Sequence, residues 1–222
     1  MNMYEHSNSS LNKYLDKPVL FYAKSRNFDF GPSNRQNVSN LSKFISHRII
    51  LEYDIVLRAL EKHKFQVIEK FIQEIFWRIY WKGWLELRPQ VWEDFIEYRH
   101  QGDTSSFDAA ISGETGIECF DDWVDELKET NYLHNHTRMW FASIWIFTLK
   151  LPWQLGARFF LEHLYDGDAG SNTLGWRWVA GLQTKGKHYI AKPWNIRKYT
   201  NERYFNFHLN EESQPLSEDY TY

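Results

Sequence analysis

The side chains best suited to chemistry crowd into one stretch, Leu133 to Trp178. Two polar clusters, His134-Asn135-His136-Thr137-Arg138-Met139 and Asp166-Gly167-Asp168-Ala169-Gly170-Ser171-Asn172, flank a strongly apolar segment and are followed by Trp176 and Trp178. An Arg opening an apolar helix and an Asp-Gly-Asp turn after the next helix can meet as a buried ion pair. Such a pair needs further hydrogen bonds, because otherwise its desolvation outweighs its attraction. A bound polar ligand supplies them. A metal suits the pattern poorly: His134 and His136 stand two apart on a helix and point to different sides. Neither they nor His163 have a carboxylate or Cys set at zinc spacing, so no metal ligands are assigned.

These residues closely resemble the C-terminal flavin domain of the photolyase/cryptochrome family, in the form that repairs cyclobutane pyrimidine dimers. The family pattern runs W-M-H-N-R-x-R-M, then D-W-R-E-G-E-R-Y-F, then D-G-D-x-A-x-N-x-G-G-W-x-W. Here it reads Tyr132 to Met139, then Pro152-Trp153-Gln154-Leu155-Gly156-Ala157-Arg158-Phe159-Phe160, then Asp166 to Trp178. Three pieces in order at the family's separations make chance resemblance a poor explanation. Earlier in the chain, Glu74-Ile75-Phe76-Trp77-Arg78 is similar to E-L-x-W-R-E-F-Y, Ser39 to Phe44 to the loop T-S-R-L-S-P-Y-L, and Tyr22 to Asn27 to Y-x-x-x-R-D.

The resemblance implies an all-α domain that binds FAD folded into a U. Tyr22, Ser39, Leu41, Ser42 and Arg78 would lie along the dinucleotide. Arg138 and Asp166 would pair beside the isoalloxazine, Asp168 would bond its polar edge, and Asn172 would face N5, with Asn135 also near the cofactor. Excited reduced flavin would pass one electron to the lesion and take it back after the ring splits. Glu74, Trp77, Asn135, Met139 and Trp178 would hold the lesion. Trp176 and Trp153 match the inner two residues of the family's electron path, whose outermost member falls near Tyr98 or His100.

The plainer readings stand beside these. Ser39 and Ser42 are ordinary helix caps, although the same free N–H groups make an anion site. Trp77 by itself reads as core and Glu74 as an i,i+4 partner of Arg78. Tyr22 can equally be one anchored aromatic in a surface loop. Lys185, Lys187 and Lys192 form a local basic run that suits phosphate contact, or simply a solvated loop. His136 replaces a family Arg and carries only partial charge near neutrality.

Bulk properties narrow the rest. A 222-residue chain sustains one sizeable core, and 11 Trp suit stacking as well as packing. A net charge of -3 does not announce a nucleic-acid binder, so any DNA site must be a local patch. Cys119 stands alone, which excludes an internal disulfide framework and favours a reducing, cytoplasmic setting. The N-terminus lacks a signal pattern, and no apolar run approaches membrane-spanning length.

Apolar spacing of three and four predicts amphipathic helices over 49–62 and 65–87. Pro89 is expected to break the second, with a short helix from Trp92 to Tyr98 and a polar loop from His100 to Ser106. A further helix is expected around 115–127, its acidic face mostly solvated, and 139–149 reads as buried. Residues 1–34 show no sustained period and read as an irregular lead-in, 35–204 as the helical FAD-binding domain, and 205–222 as a loosely ordered polar tail. Nothing signals the alternating α/β domain that precedes the flavin domain in whole photolyases. The chain is either a short flavoprotein or a separated piece of a longer one.

The expected function is light-driven repair of pyrimidine dimers in DNA, favouring single strands because the usual DNA-binding surface is reduced. The rival is a cryptochrome-like flavin photoreceptor that signals and repairs nothing. A separate antenna or signalling chain would be its partner; no membrane is involved.

Overall fold

The computed structural model describes residues 2–218. Twelve α-helices and no strand occur among them. The first, α1 (Met3–Asp16), occupies what the sequence suggests is an irregular lead-in. A reciprocal cap starts it: Asn2 Oδ1 accepts from the Glu5 amide at 2.8 Å, and Glu5 Oε2 accepts from the Asn2 amide at 3.1 Å. Its buried stripe is Ser7, Leu11, Tyr14 and Leu15. That is helical spacing, hidden from a hydrophobicity reading because a Ser fills the first position. A 3-10 turn (Pro18–Phe21) and α2 (Tyr22–Ser25) follow, and irregular chain leads to α3 (Ser42–Ser46).

The two predicted amphipathic helices are present as α4 (Glu52–Lys62) and α5 (Phe65–Glu86). At about 1.5 Å per residue, the 22 residues of α5 run roughly 33 Å. Its first half buries Ile68, Phe71, Ile72 and Ile75, the i, i+3, i+4, i+7 pattern of one face. With Leu11, Leu15, Phe44 and Ile55 they form an aliphatic and phenyl core. Pro89 begins α6 (Pro89–Glu97) rather than preceding it, since a first helical position has no N–H bond to lose. After α6 come α7 (Ser105–Ser112) and α8 (Glu118–Thr130).

The second core is built on α9 (Asn135–Ser143), which runs into a π-helical turn (Ile144–Thr148), and on α10 (Trp153–His163) and α11 (Ala169–Ala180). Trp123, Trp140 and Trp145 are fully buried there among Phe120, Phe141 and Phe160. Cutting any of these indoles to Ala costs about 3–5 kcal/mol. Beyond α11 the chain ends its helical part in α12 (Pro193–Tyr199).

Two close approaches fix how these helices pack. A Cβ at Gly170 would come within 3.2 Å of the Lys82 backbone, so glycine lets α11 lie against α5. One at Gly156 would sit 2.3 Å from Trp176 Cη2, so glycine lets that indole lie on α10. Asp29, fully buried, ties the early chain to the second core. It accepts from Thr137 Oγ1 at 2.7 Å and from the Gly31 amide at 3.0 Å, and Arg203 lies 3.2 Å away.

The acidic face of α8 is mostly solvated, with Glu118, Asp122 and Asp125 exposed; Glu126 is the exception, buried and paired with Arg35. Among its described residues the tail has no helix or strand, yet it is strapped down rather than loose, which corrects the expectation. The Leu216 amide donates to Ala180 O at 2.9 Å, and Asn210 reaches Phe147 O through Nδ2 at 3.1 Å and Thr148 Oγ1 through its amide at 3.1 Å. Backbone bonds of this kind hold extended chain without regular structure. Residues 219–222 of that tail lie outside the described residues.

Candidate functional site

Between the two cores opens a cleft of about 820 Å³ whose walls come from α5, α9, α11 and the loop before α3. At its base sits an ion pair joining two distant pieces of sequence. Arg138, on the first turn of α9, donates through Nε to Leu133 O at 2.9 Å and through Nη2 to Asp166 Oδ2 at 2.9 Å. His134 holds that turn in place, its Nδ1 accepting from the His136 amide at 3.2 Å. Asp166 is 5% exposed. Burial alone would raise its pKa, but Arg138, Ser42 and Arg78 more than offset this and hold the carboxyl below its usual range. The Tyr132 ring lies between two guanidiniums, Arg35 at 4.8 Å and Arg138 at 5.1 Å.

Asp168 is the N-cap of α11. One carboxylate oxygen accepts from the Ser171 amide at 2.9 Å, and the other lies 3.3 Å from Lys82 Nζ. Lys82 also approaches Glu52, at 3.6 Å. Sequence reading missed this lysine, although its spacing of four from Arg78 puts both cations on one face of α5. One turn into α11, Asn172 donates through Nδ2 to Ala157 O at 2.8 Å. That bond uses one of the side chain's two N–H donors and leaves its oxygen available as an acceptor on a residue that lines the cleft.

The loop before α3 contributes Ser39, Leu41 and Ser42 to the wall. Neither serine caps α3; Leu41 stands at the N-cap without a side-chain bond. The Leu41 side chain is core, so its contribution to the cleft comes from the backbone. Tyr22 lines the same side, its ring edge-on to Phe71 at 5.5 Å. Arg78 neither pairs with Glu74 nor points away: its Nη2 donates to Ser46 Oγ at 2.6 Å.

The mouth is aromatic. Trp77 is 48% exposed, stacked on Trp81 at 5.4 Å and edge-on to Tyr80 at 5.4 Å. Across from it, Trp178 stacks on Tyr189 at 5.9 Å. Asn135 and Met139 complete the mouth, one exposed and one half-buried. Glu74 is engaged by Arg26, a partner 48 residues away that the sequence gives no means of choosing.

Four expected site residues do not line the cleft. Lys185, Lys187 and Lys192 are exposed on the chain beyond it. Trp153 lines a second cavity of about 250 Å³, while Trp176 forms part of the cleft wall. His136, expected near the DNA as a part-charged base, is buried. Desolvation lowers its pKa, and its ring nitrogens meet Asn27 O at 2.9 Å and Tyr189 Oη at 3.1 Å.

The walls carry unfinished hydrogen bonding of the kind FAD completes. Arg78 Nε, Ser171 Oγ, Trp176 Nε1 and Gln183 Oε1 are buried, without hydrogen-bond partners, on residues that line the cleft. Donors and acceptors, indoles and half-buried guanidiniums fit a ligand that is aromatic at one end and anionic along its length. Among the described residues, no group of three His, Cys, Asp or Glu is placed to hold a metal, and no helix is long and apolar enough to cross a membrane.

Comparison with known proteins agrees with this fold. The deoxyribodipyrimidine photo-lyase of Vibrio cholerae is 26% identical over 197 residues, covering 84% of this chain and 41% of the relative. That of Streptomyces griseus is 35% identical over 149 residues, covering 66% of this chain and 32% of the relative. The chain thus spans less than half the length of these relatives. Among solved structures, a class III photolyase from Agrobacterium tumefaciens superposes with a TM-score of 0.76 at 27% identity, over 89% of this chain and 42% of that one. A Synechocystis cryptochrome shares the fold, with a TM-score of 0.79 at 20% identity, over 90% and 44% of the two chains. Residues 71–218 match the family described as the FAD binding domain of DNA photolyase, and with two thirds of its length accounted for, the chain belongs to that family.

Proposed function

We propose that this chain binds FAD in the cleft and, in light, repairs cyclobutane pyrimidine dimers in DNA. One observation carries the reading: the buried Arg138–Asp166 pair and the set Glu74, Trp77, Asn135, Met139 and Trp178 line a single cleft. When bound, FAD supplies light absorption and one-electron transfer to the lesion and back. Arg138 and Asp166 fix the cleft floor. Asn172 presents an acceptor, which suits a protonated ring nitrogen. Arg78 and the Ser39–Ser42 loop hold the anionic end, and the open aromatic mouth receives the lesion.

A dimer must leave the base stack to enter, and stacking walls offset that cost. Trp77 and Trp178 each contribute about 1–3 kcal/mol per stacked base. Glu74 and Asn135 bond the polar edges of the dimer, where negative charge develops as it accepts the electron. With His136 buried, backbone contact falls to the three exposed lysines, beside the stacking faces of Trp77 and Trp178, which favours single-stranded or easily opened DNA. Trp176, in the wall, and Trp153, on the second cavity, serve as the inward route by which the resting cofactor is reduced.

The Arg26–Glu74 pair favours a second reading, a flavin photoreceptor without repair, because it occupies the carboxylate that repair requires. Illumination of the reduced, FAD-loaded chain with dimer-containing oligothymidylate separates the two. Repair restores thymine absorbance. Unchanged absorbance with reduced FAD still bound leaves the photoreceptor.

A further inference from the structure

We infer that Glu218, on the C-terminal strap, is the proton acceptor for Trp153 when that indole gives up an electron. The inference rests on Trp153 being part of the inward electron route. It starts from the second cavity, about 250 Å³, where Phe95, Tyr98, Trp153, Arg177 and Glu218 meet. Trp153 is 4% exposed, so bulk water has little access to its ring. Its Nε1 donates to Glu218 Oε1 at 3.3 Å, while Glu218 Oε2 accepts from Arg177 Nη1 at 2.6 Å. The guanidinium carbon of Arg177 lies 5.7 Å from the Trp153 ring centroid. The strap that presents this carboxylate is anchored just before it, by the Leu216 amide on Ala180 O at 2.9 Å and by His188 Nε2 against Ser213 O at 2.7 Å.

The chemistry follows from charge. An indole that has lost an electron becomes a far stronger N–H acid. A guanidinium close to the ring disfavours the positive charge, in a buried site where screening is weak. The only carboxylate described as bonded to that N–H is Glu218. The electron passes from Trp153 through Trp176 to the photoexcited, oxidised flavin; the Nε1–H bond breaks and an O–H bond forms on Glu218. Trp153 is left as a neutral radical, which cannot take its electron back until the proton returns. A thiolate reductant then supplies one electron and Glu218 supplies the proton, restoring the indole.

The test is transient absorption of the FAD-loaded full chain after a light flash, read at the bands of the cationic and neutral tryptophan radicals. In the natural chain the cation-to-neutral conversion is expected to slow in D₂O and to ignore buffer concentration. In Glu218→Gln, which keeps the strap's shape and a bond to Arg177, conversion slows at least about tenfold, the low end of what a positioned base contributes, and it becomes dependent on buffer. Equal, buffer-independent conversion in both proteins would overturn the inference, as would buffer-dependent conversion in the natural chain. Trp153→Phe separates this from the underlying reading. If that variant loses the long-lived radical while Glu218→Gln changes nothing, the route stands and Glu218 falls. If Trp153→Phe leaves the radical intact, both fall.

Discussion

The floor of the cleft and its mouth are built on opposite terms. On the floor, polar groups are buried or half-buried and each is bonded to the protein: Arg138 to Leu133 and Asp166, Asn172 to Ala157, Asp168 to the α11 amide and Lys82. At the mouth, Trp77 is half exposed and Asn135 is open to solvent. A resident cofactor rewards preorganisation, because each locked rotamer lowers the cost of binding. A substrate that enters and leaves needs an open surface with stacking faces. Changes on the floor should therefore cost both fold and cofactor, and changes at the mouth should cost only turnover.

The largest expected effect is Arg138→Ala. It leaves the Asp166 carboxylate buried without its cation, a loss of about 3–5 kcal/mol, seen as a lowered denaturant midpoint together with loss of bound flavin. Next comes Glu74→Ala, which removes a charged hydrogen bond worth about 1.5–3 kcal/mol. Repair yield per absorbed photon should fall more than tenfold while bound FAD stays stoichiometric; loss of flavin instead would erase the distinction between floor and mouth. Gly156→Ala drives a methyl into Trp176 and should destabilise by about 1–3 kcal/mol, again read from the denaturant midpoint.

A smaller effect separates two buried titrating groups. Burial pushes the Glu126 carboxyl up to about 7 despite Arg35, and burial pushes His134 down to about 4. A raised carboxyl binds its proton more tightly in the fold, so its stabilisation is complete below the ordinary carboxylate range and is lost as pH rises through 7. A depressed histidine does the reverse, losing stability as pH falls from its ordinary value towards 4. The two oppose each other across that window. Glu126→Gln should therefore lose thermal stability on acidification from pH 7 to 4 more steeply than the natural chain. The smallest effect belongs to the basic run: Lys185→Ala and Lys187→Ala should each reduce the salt slope of DNA binding by about one at most.

The floor was far more legible in sequence than the mouth or the periphery. Arg138, Asp166, Asp168 and Asn172 stand in short motifs that resemble the family's and are named through that resemblance, whereas α4 and α5 follow from apolar periodicity alone. The Arg26–Glu74 contact spans 48 residues of sequence and depends on how α2 meets α5, which no local pattern encodes. α1 was obscured by Ser7 in its buried stripe, and the Glu126–Arg35 pair by an acidic face that reads as solvated. The strap escaped for another reason: it is held by scattered long-range bonds from backbone amides, Asn210, His188 and Glu218, and composition does not report pairings.

The most direct measurement is the absorbance spectrum of the purified chain before and after equilibration with FAD. The geometry of the floor predicts a flavin spectrum at one cofactor per chain, lost in Arg138→Ala and kept in Glu74→Ala. A colourless polypeptide that leaves added FAD free in solution would contradict it.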